Sequence, residues 1–326
     1  MRHVNWPNFL LLVCLLALQF PNRVAADSYH IIVCGSGGDT VYAQQFESWG
    51  YRLRSVLTDQ FGHPAHRVML FTESGERASG ISSRATLGAS FRQLGHALGD
   101  KDDVFLYLVG HGSYRQGIGK LNVPGKDLSA EDLSKWLEPW RAHQIVVIQT
   151  ASASASFMNV LSGKGRVIVT STRSEEERNA TRYMEYFLQA LEDGSADQNR
   201  DERISVLEVS RQAAFLTESW YVGQGYLATE NALLDDNGDG KGTRLTKRDT
   251  LSSDGELART GYLYTWGLRE RVSAKLLDEY ARSIVLIEEL IKKKGDLDPA
   301  TYGEKLEILM IKVARLHRSI RQSGGN

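Results

Sequence analysis

Asp102-Asp103-Val104-Phe105-Leu106-Tyr107-Leu108-Val109-Gly110-His111-Gly112-Ser113 is an apolar run that empties into a Gly-His-Gly turn. A second apolar run, Ile145–Ile148, ends in Gln149-Thr150-Ala151-Ser152-Ala153-Ser154. Both runs are short, continuous and rich in β-branched or aromatic residues, the pattern of strands buried on both faces. A histidine between two glycines at a strand end stands at the rim of a sheet with little shielding. The glycines let the backbone approach a ligand closely.

Outward from these two runs, strands and helices alternate. Strands are expected at Tyr29–Cys34, Arg67–Phe71, Val104–Val109, Ile145–Ile148 and Arg166–Ser171. Helical stretches are expected at about 42–60, with Phe46, Trp49, Leu53 and Leu57 on one face, near 84–98, and over Leu128–Trp140 with Ser129 as N-cap. This order predicts an α/β fold, a mostly parallel sheet with helices on both faces. In such sheets, sites form beyond the C-terminal ends of the strands. Gly35–Gly38, His111 and Thr150 would share that edge. The last fifty or so residues read differently. Leu277, Ile284 and Ile291 recur on one helix face. Gly295 breaks the pattern, and Asp298-Pro299 restarts it as N-cap and N1. Tyr302, Leu306, Leu309, Val313, Leu316 and Ile320 then follow a coiled-coil-like spacing. Residues 271–326 are therefore expected to form a helical hairpin. Its seam packs on the main domain or meets a partner helix or a second copy.

Composition narrows the class of protein. Residues 1–26 carry Arg2 and His3, an apolar stretch Phe9–Phe20 and a small-residue Val24-Ala25-Ala26, the form of a secretory signal peptide. A periplasmic or secreted protein is expected, with no membrane span after signal removal and a main domain over residues 27–270. The 39 basic side chains lose Arg2 and Arg23 with the signal. That leaves 37 against 40 acidic ones, a balance of −3. Such a surface does not suit a nucleic-acid partner. Of the two cysteines only Cys34 follows the signal, which excludes an internal disulfide and any cysteine-rich zinc site.

Val104–Ser113 and Ile145–Phe157 resemble the His and Cys motifs of caspase-like cysteine peptidases, and those of the legumain family most closely. The similarity runs roughly from Tyr29 to Leu191 and implies a caspase/legumain-like fold. It makes His111 the general base and Gly112 an oxyanion N–H donor. Thr150 falls where the nucleophilic Cys is expected, with Ala151-Ser152 following. A register slip of two gives Ser152 that position. Gly37 falls roughly where the family places an Asn that orients the His. Two of three expected side chains are thus absent. A hydroxyl lacks the ready ionisation of a thiol, so it needs a well-oriented base and usually a third group.

Three functions follow as expectations. The first is an exported peptidase-fold protein that has lost thiol catalysis, a pseudopeptidase binding a peptide or protein segment beside His111. The second is an active endopeptidase using Thr150 or Ser152 with His111. The third is an envelope scaffold acting through the C-terminal hairpin. Separately, residues 197–208 have EF-hand spacing. Asp197, Asn199 and Asp201 stand at positions one, three and five, the Arg203 carbonyl at seven and Glu208 at twelve. Glu202 replaces the usual Gly at six. A structural Ca²⁺ is the expected cofactor, and Asp235–Gly240 begins in a similar way.

Overall fold

The computed structural model describes residues 27–245, 253–265 and 274–324. The expected signal peptide and the boundary at residue 270 lie outside them. The elements in chain order are β1 (Ser28–Cys34), α1 (Thr40–Ser55, continued by a π-helical turn Val56–Gln60), β2 (Val68–Thr72), β3 (Gly80–Ile81), α2 (Arg84–Ala97), β4 (Asp103–Val109), β5 (Gly112–Arg115), β6 (Ile118–Leu121), β7 (Leu128–Ser129), α3 (Ala130–Leu137), β8 (Gln144–Gln149), α4 (Met158–Leu161), β9 (Arg166–Thr170), α5 (Tyr183–Glu192), β10 (Arg203–Ser205), α6 (Val206–Gly223), β11 (Leu233–Asp235), β12 (Thr243–Arg244), β13 (Tyr262–Thr265), α7 (Ala274–Lys292) and α8 (Pro299–Gly324).

Eight strands form one mostly parallel sheet in the order β12-β11-β9-β8-β4-β1-β2-β3. Only β11 and β12 run antiparallel to their neighbours. Parallel strands inside a double-faced sheet must bury both sets of side chains. Accordingly Phe105, Tyr107 and Val109 of β4 enter one core, while Val104, Leu106 and Leu108 enter the other. The first core is closed by Phe46, Trp49 and Leu53 of α1, by Phe187 and Leu188 of α5, and by Val209 and Ala213 of α6. The second is closed by Leu87, Phe91 and Leu94 of α2 and by Leu133 and Leu137 of α3. Register places Cys34 opposite Val109, and Leu108 opposite Gln149. The ends of β1, β4 and β8 therefore reach one edge together.

Ser129 caps α3 as the sequence predicts and forms a reciprocal capping box with Asp132, but the helix stops at Leu137. The three-stranded sheet β5-β6-β7 and the antiparallel pair β10-β13 were not foreseen. The hairpin forms as expected. Tyr280, Ile320, Ile284, Val313 and Leu316 pack into a small cluster of their own. Ile291 is an exception, turned outward and 44% exposed. The side chain of Leu277 lies outside the described set.

Candidate active site

The His111 turn needs both its glycines. Gly110 has φ +148, and a Cβ there would meet the Gly35 backbone at 3.3 Å. A Cβ on Gly112 would fall 2.2 Å from the Ser152 carbonyl oxygen. Three backbone bonds fix the turn: Gly35 N–H donates to Val109 O (2.7 Å), Ser36 N–H to Asn122 O (2.9 Å), and Asn122 N–H to His111 O (2.9 Å). The half-buried imidazole is met edge-on by Tyr42 and Phe46 of α1, with ring centroids 4.5 and 5.0 Å away. Burial lowers its pKa, and the Asp39 carboxylate opposes that shift. Among the described residues no group is hydrogen-bonded to the imidazole.

Beyond β8 the chain is tied at every residue. Thr150 is buried, and its hydroxyl donates to the Leu108 carbonyl at 2.9 Å. Ala151 N–H donates to the Gln149 side-chain oxygen at 3.0 Å. The Ser152 hydroxyl accepts from Gly112 N–H at 3.0 Å and lies 3.2 Å from the Gly112 carbonyl, to which it donates. Ala153 turns the chain in the left-handed region, with φ +52. The Thr181 hydroxyl donates to the Thr150 carbonyl, bracing the segment from the start of α5.

The structure thus brings Gly112 and Ser152 into direct contact on the His111 turn. Thr150 is adjacent along the chain, but its hydroxyl is spent on the neighbouring strand. The Ala151 methyl lies close by, 3.4 Å from where a Gly112 Cβ would be. Sequence reasoning passed over Ala151 because alanine has no chemistry to flag. Gly37 could not hold an orienting Asn on this backbone, since a Cβ there would come 2.1 Å from Ala43 N. Cys34 is fully buried, and burial drives its thiol pKa far upward.

Sequence reasoning also missed Glu230. Its buried carboxylate accepts Arg182 N–H (2.8 and 3.0 Å), Tyr183 N–H (3.1 Å) and the Tyr221 hydroxyl (3.2 Å). It thereby satisfies the start of α5, the element that delivers Thr181 to Thr150. The only sequence signal was a lone acid just ahead of the apolar Ala232-Leu233-Leu234.

The 197–208 loop folds around its own donors. Asp197 accepts Asp201 N–H (3.0 Å) and Glu202 N–H (3.1 Å), Asn199 accepts Asp201 N–H (2.8 Å), and Asp201 accepts Arg203 N–H (2.9 Å). Arg200 and Glu202 take positive φ, +58 and +63, so Glu202 adopts at position six the conformation that Gly gives without strain. Asp201 also faces Arg203 Nε at 3.5 Å. Ser205 caps α6, and Glu208 Oε2 accepts Ser205 N–H at 3.0 Å. Among the described residues Glu208 Oε1 is buried with no hydrogen-bond partner, and burial pushes the carboxyl up to about 7. Ile284 and Val285 of α7 close a hollow of about 230 Å³ with Asn199, Asp201 and Glu208. Among the described residues no three His, Cys, Asp or Glu side chains are already grouped to hold a metal ion. Asp235 and Asn237 make the same kind of turn, accepting Gly238, Gly240 and Asp239 N–H at 2.8–3.1 Å.

The mostly parallel sheet flanked by helices is consistent with a caspase-like α/β fold, and a family model points the same way. Residues 84–212 match the family model described as Peptidase C13 family, which supports a relationship to the caspase-like peptidase superfamily. No curated protein matches the sequence. Among solved structures, protein GSU0716 from Geobacter sulfurreducens is similar at 9% identity over 65% of this chain and 95% of that one, with a TM-score of 0.41.

Proposed function

We propose that this chain is an exported, legumain-like peptidase-fold protein that binds a peptide or protein segment beside His111 without hydrolysing it. One observation carries the reading. The Ser152 hydroxyl occupies the Gly112 N–H, the group an oxyanion would need, while donating to the Gly112 carbonyl. A Ser152 nucleophile would have to break both bonds and leave the part-buried Gly112 N–H and C=O without that partner, at up to about 1–3 kcal/mol each, less where water replaces it. Thr150 would have to leave the Leu108 carbonyl. Among the described residues no side chain orients His111 in the way that a working triad requires. The test incubates residues 27–326 with a mixed peptide library. Retention of peptides without new termini supports the reading. Cleavage abolished by His111→Ala refutes it, and its loss in Ser152→Ala or Thr150→Ala identifies the nucleophile.

A structural Ca²⁺ in the 197–208 loop is the second element of the proposal. Its support is Glu208 Oε1, a buried oxygen that shares its hollow with Asp201 and has no hydrogen-bond partner among the described residues. Bidentate ligation by Glu208, with Asp197, Asn199, Asp201 and the Arg203 carbonyl, would satisfy it. Differential scanning calorimetry tests this: Ca²⁺ raises the Tm of the wild type and does so less in Glu208→Gln. An equal shift in both removes the loop from consideration. The hairpin closes over this loop, so the scaffold reading is tested by deleting residues 271–326 and repeating the peptide retention. Unchanged retention leaves the cleft as the functional surface.

A further inference from the structure

A hollow of about 630 Å³ opens between the first turn of α2 and the connector from β6 to β7. Its walls include Arg84, Arg92, Lys126, Trp136 and Gly88, and no acidic side chain lines it. Arg84 is held by a two-pronged ion pair with Asp132, which leaves it fixed and largely neutralised. Among the described residues Arg92 and Lys126 carry no ion pair, so their two charges face the hollow uncompensated. The same side receives the start of a 14-residue helix, whose Arg84 and Ala85 amides precede any intrahelical acceptor. Ser83 is already committed, its hydroxyl accepting Thr86 N–H at 3.2 Å.

The opposite wall is flat and apolar. A Cβ on Gly88 would stand 3.0 Å from Trp136 Cζ2 and 3.6 Å from Arg92 Nη1. Glycine therefore lets the indole lie against α2 and brings the Arg92 guanidinium beside it. The half-buried indole leaves part of its surface in the hollow. A site with two free cations and two helix-start amides at one end suits a doubly charged oxyanion. An indole wall beside it suits a ring.

We propose that this hollow binds a phosphate monoester carried on a flat ring. Phosphate oxygens take Arg92, Lys126 and the α2 amides, and the ring lies on Trp136. The site is separate from the cleft beside His111, and it stands whether or not that cleft binds peptide.

The test is isothermal titration calorimetry of residues 27–326 with phenyl phosphate, inorganic phosphate and phenol. The expected result is saturable binding of phenyl phosphate, weaker binding of inorganic phosphate and none of phenol. Arg92→Gln and Lys126→Gln each weaken phenyl phosphate by about tenfold, the loss of one charge-assisted bond. Both side chains are exposed, so both variants keep the wild-type fold, as circular dichroism checks. Gly88→Ala, which crowds the indole, weakens phenyl phosphate more than inorganic phosphate. No saturable heat, equal affinity for the two phosphates, or wild-type affinity in the Arg92→Gln/Lys126→Gln double variant overturns the proposal.

Discussion

Glu230 should make the protein less stable as the solution turns from acid to neutral. Burial raises its carboxyl from 4.5 to about 7, although the Arg182 and Tyr183 amides and the Tyr221 hydroxyl pull the other way. A folded-state value above the unfolded one means that the native state holds the proton more tightly. The stability so gained is complete below about pH 4.5 and is lost as the pH climbs through about 7. At about 1.4 kcal/mol per pH unit, the interval is worth about 3 kcal/mol. The side chain is only 4% exposed, so solvent screening does not reduce that figure appreciably. Glu230→Gln keeps the shape and one strong acceptor for the amides, and the Tyr221 hydroxyl is able to accept from the new NH₂. The assay is urea unfolding of both proteins from about pH 4.5 to about pH 8, with a chelator present to silence any bound cation. Wild-type stability minus variant stability should fall by about 3 kcal/mol across the window. Glu208 titrates over the same range, but it is common to both proteins and cancels. A flat difference, or one that rises with pH, refutes the reasoning.

Gly112→Ala forces a methyl to within 2.2 Å of the Ser152 carbonyl oxygen, so backbone must shift to admit it. Thermal melts should show destabilisation of about 2 kcal/mol or more, against little change for Ser113→Ala on the neighbouring residue. Cys34 should react with a thiol reagent only as fast as the domain unfolds, because it is fully buried and its thiol pKa is driven upward. Rapid labelling under native conditions would contradict that burial. Ser129→Ala removes one half of the α3 capping box and should cost about 1 kcal/mol in chemical unfolding.

The fold was legible because its central strands are buried on both faces. Continuous apolar runs such as Phe105–Val109 admit few other readings, and the Gly-rich exits after β1 and β4, with the small-residue exit after β8, mark the edge where those runs end together. The strands that went unseen are those with little apolar signal. β5, Gly112–Arg115, is polar and half-exposed, and it is held by pairing with β6 rather than by burial of its own side chains. The hairpin seam was legible in α8 because its spacing is regular. Ile291 departed from expectation near the end of α7, where the seam runs out.

The site was harder to read, for a reason of register. Within β8 successive side chains alternate between the two cores, and counting along the run assigns each residue to a face. That count lapses after Gln149, where the strand ends. Thr150 N–H and its hydroxyl both turn to Leu108 O, at 2.8 and 2.9 Å. Ala151 joins the α2/α3 core, and Ser152 is carried over to Gly112. Sequence spacing cannot distinguish these three outcomes, since each residue is small and each would fit at the rim. What separates them is which hydrogen-bonding group of the neighbouring chain each one meets. For Ser152 that partner is a glycine whose missing side chain admits the Ser152 carbonyl. A hydroxyl here is therefore better placed to tie the His111 turn to the end of β8 than to leave it, and the Gly112 N–H cannot serve that tie and an incoming carbonyl at once.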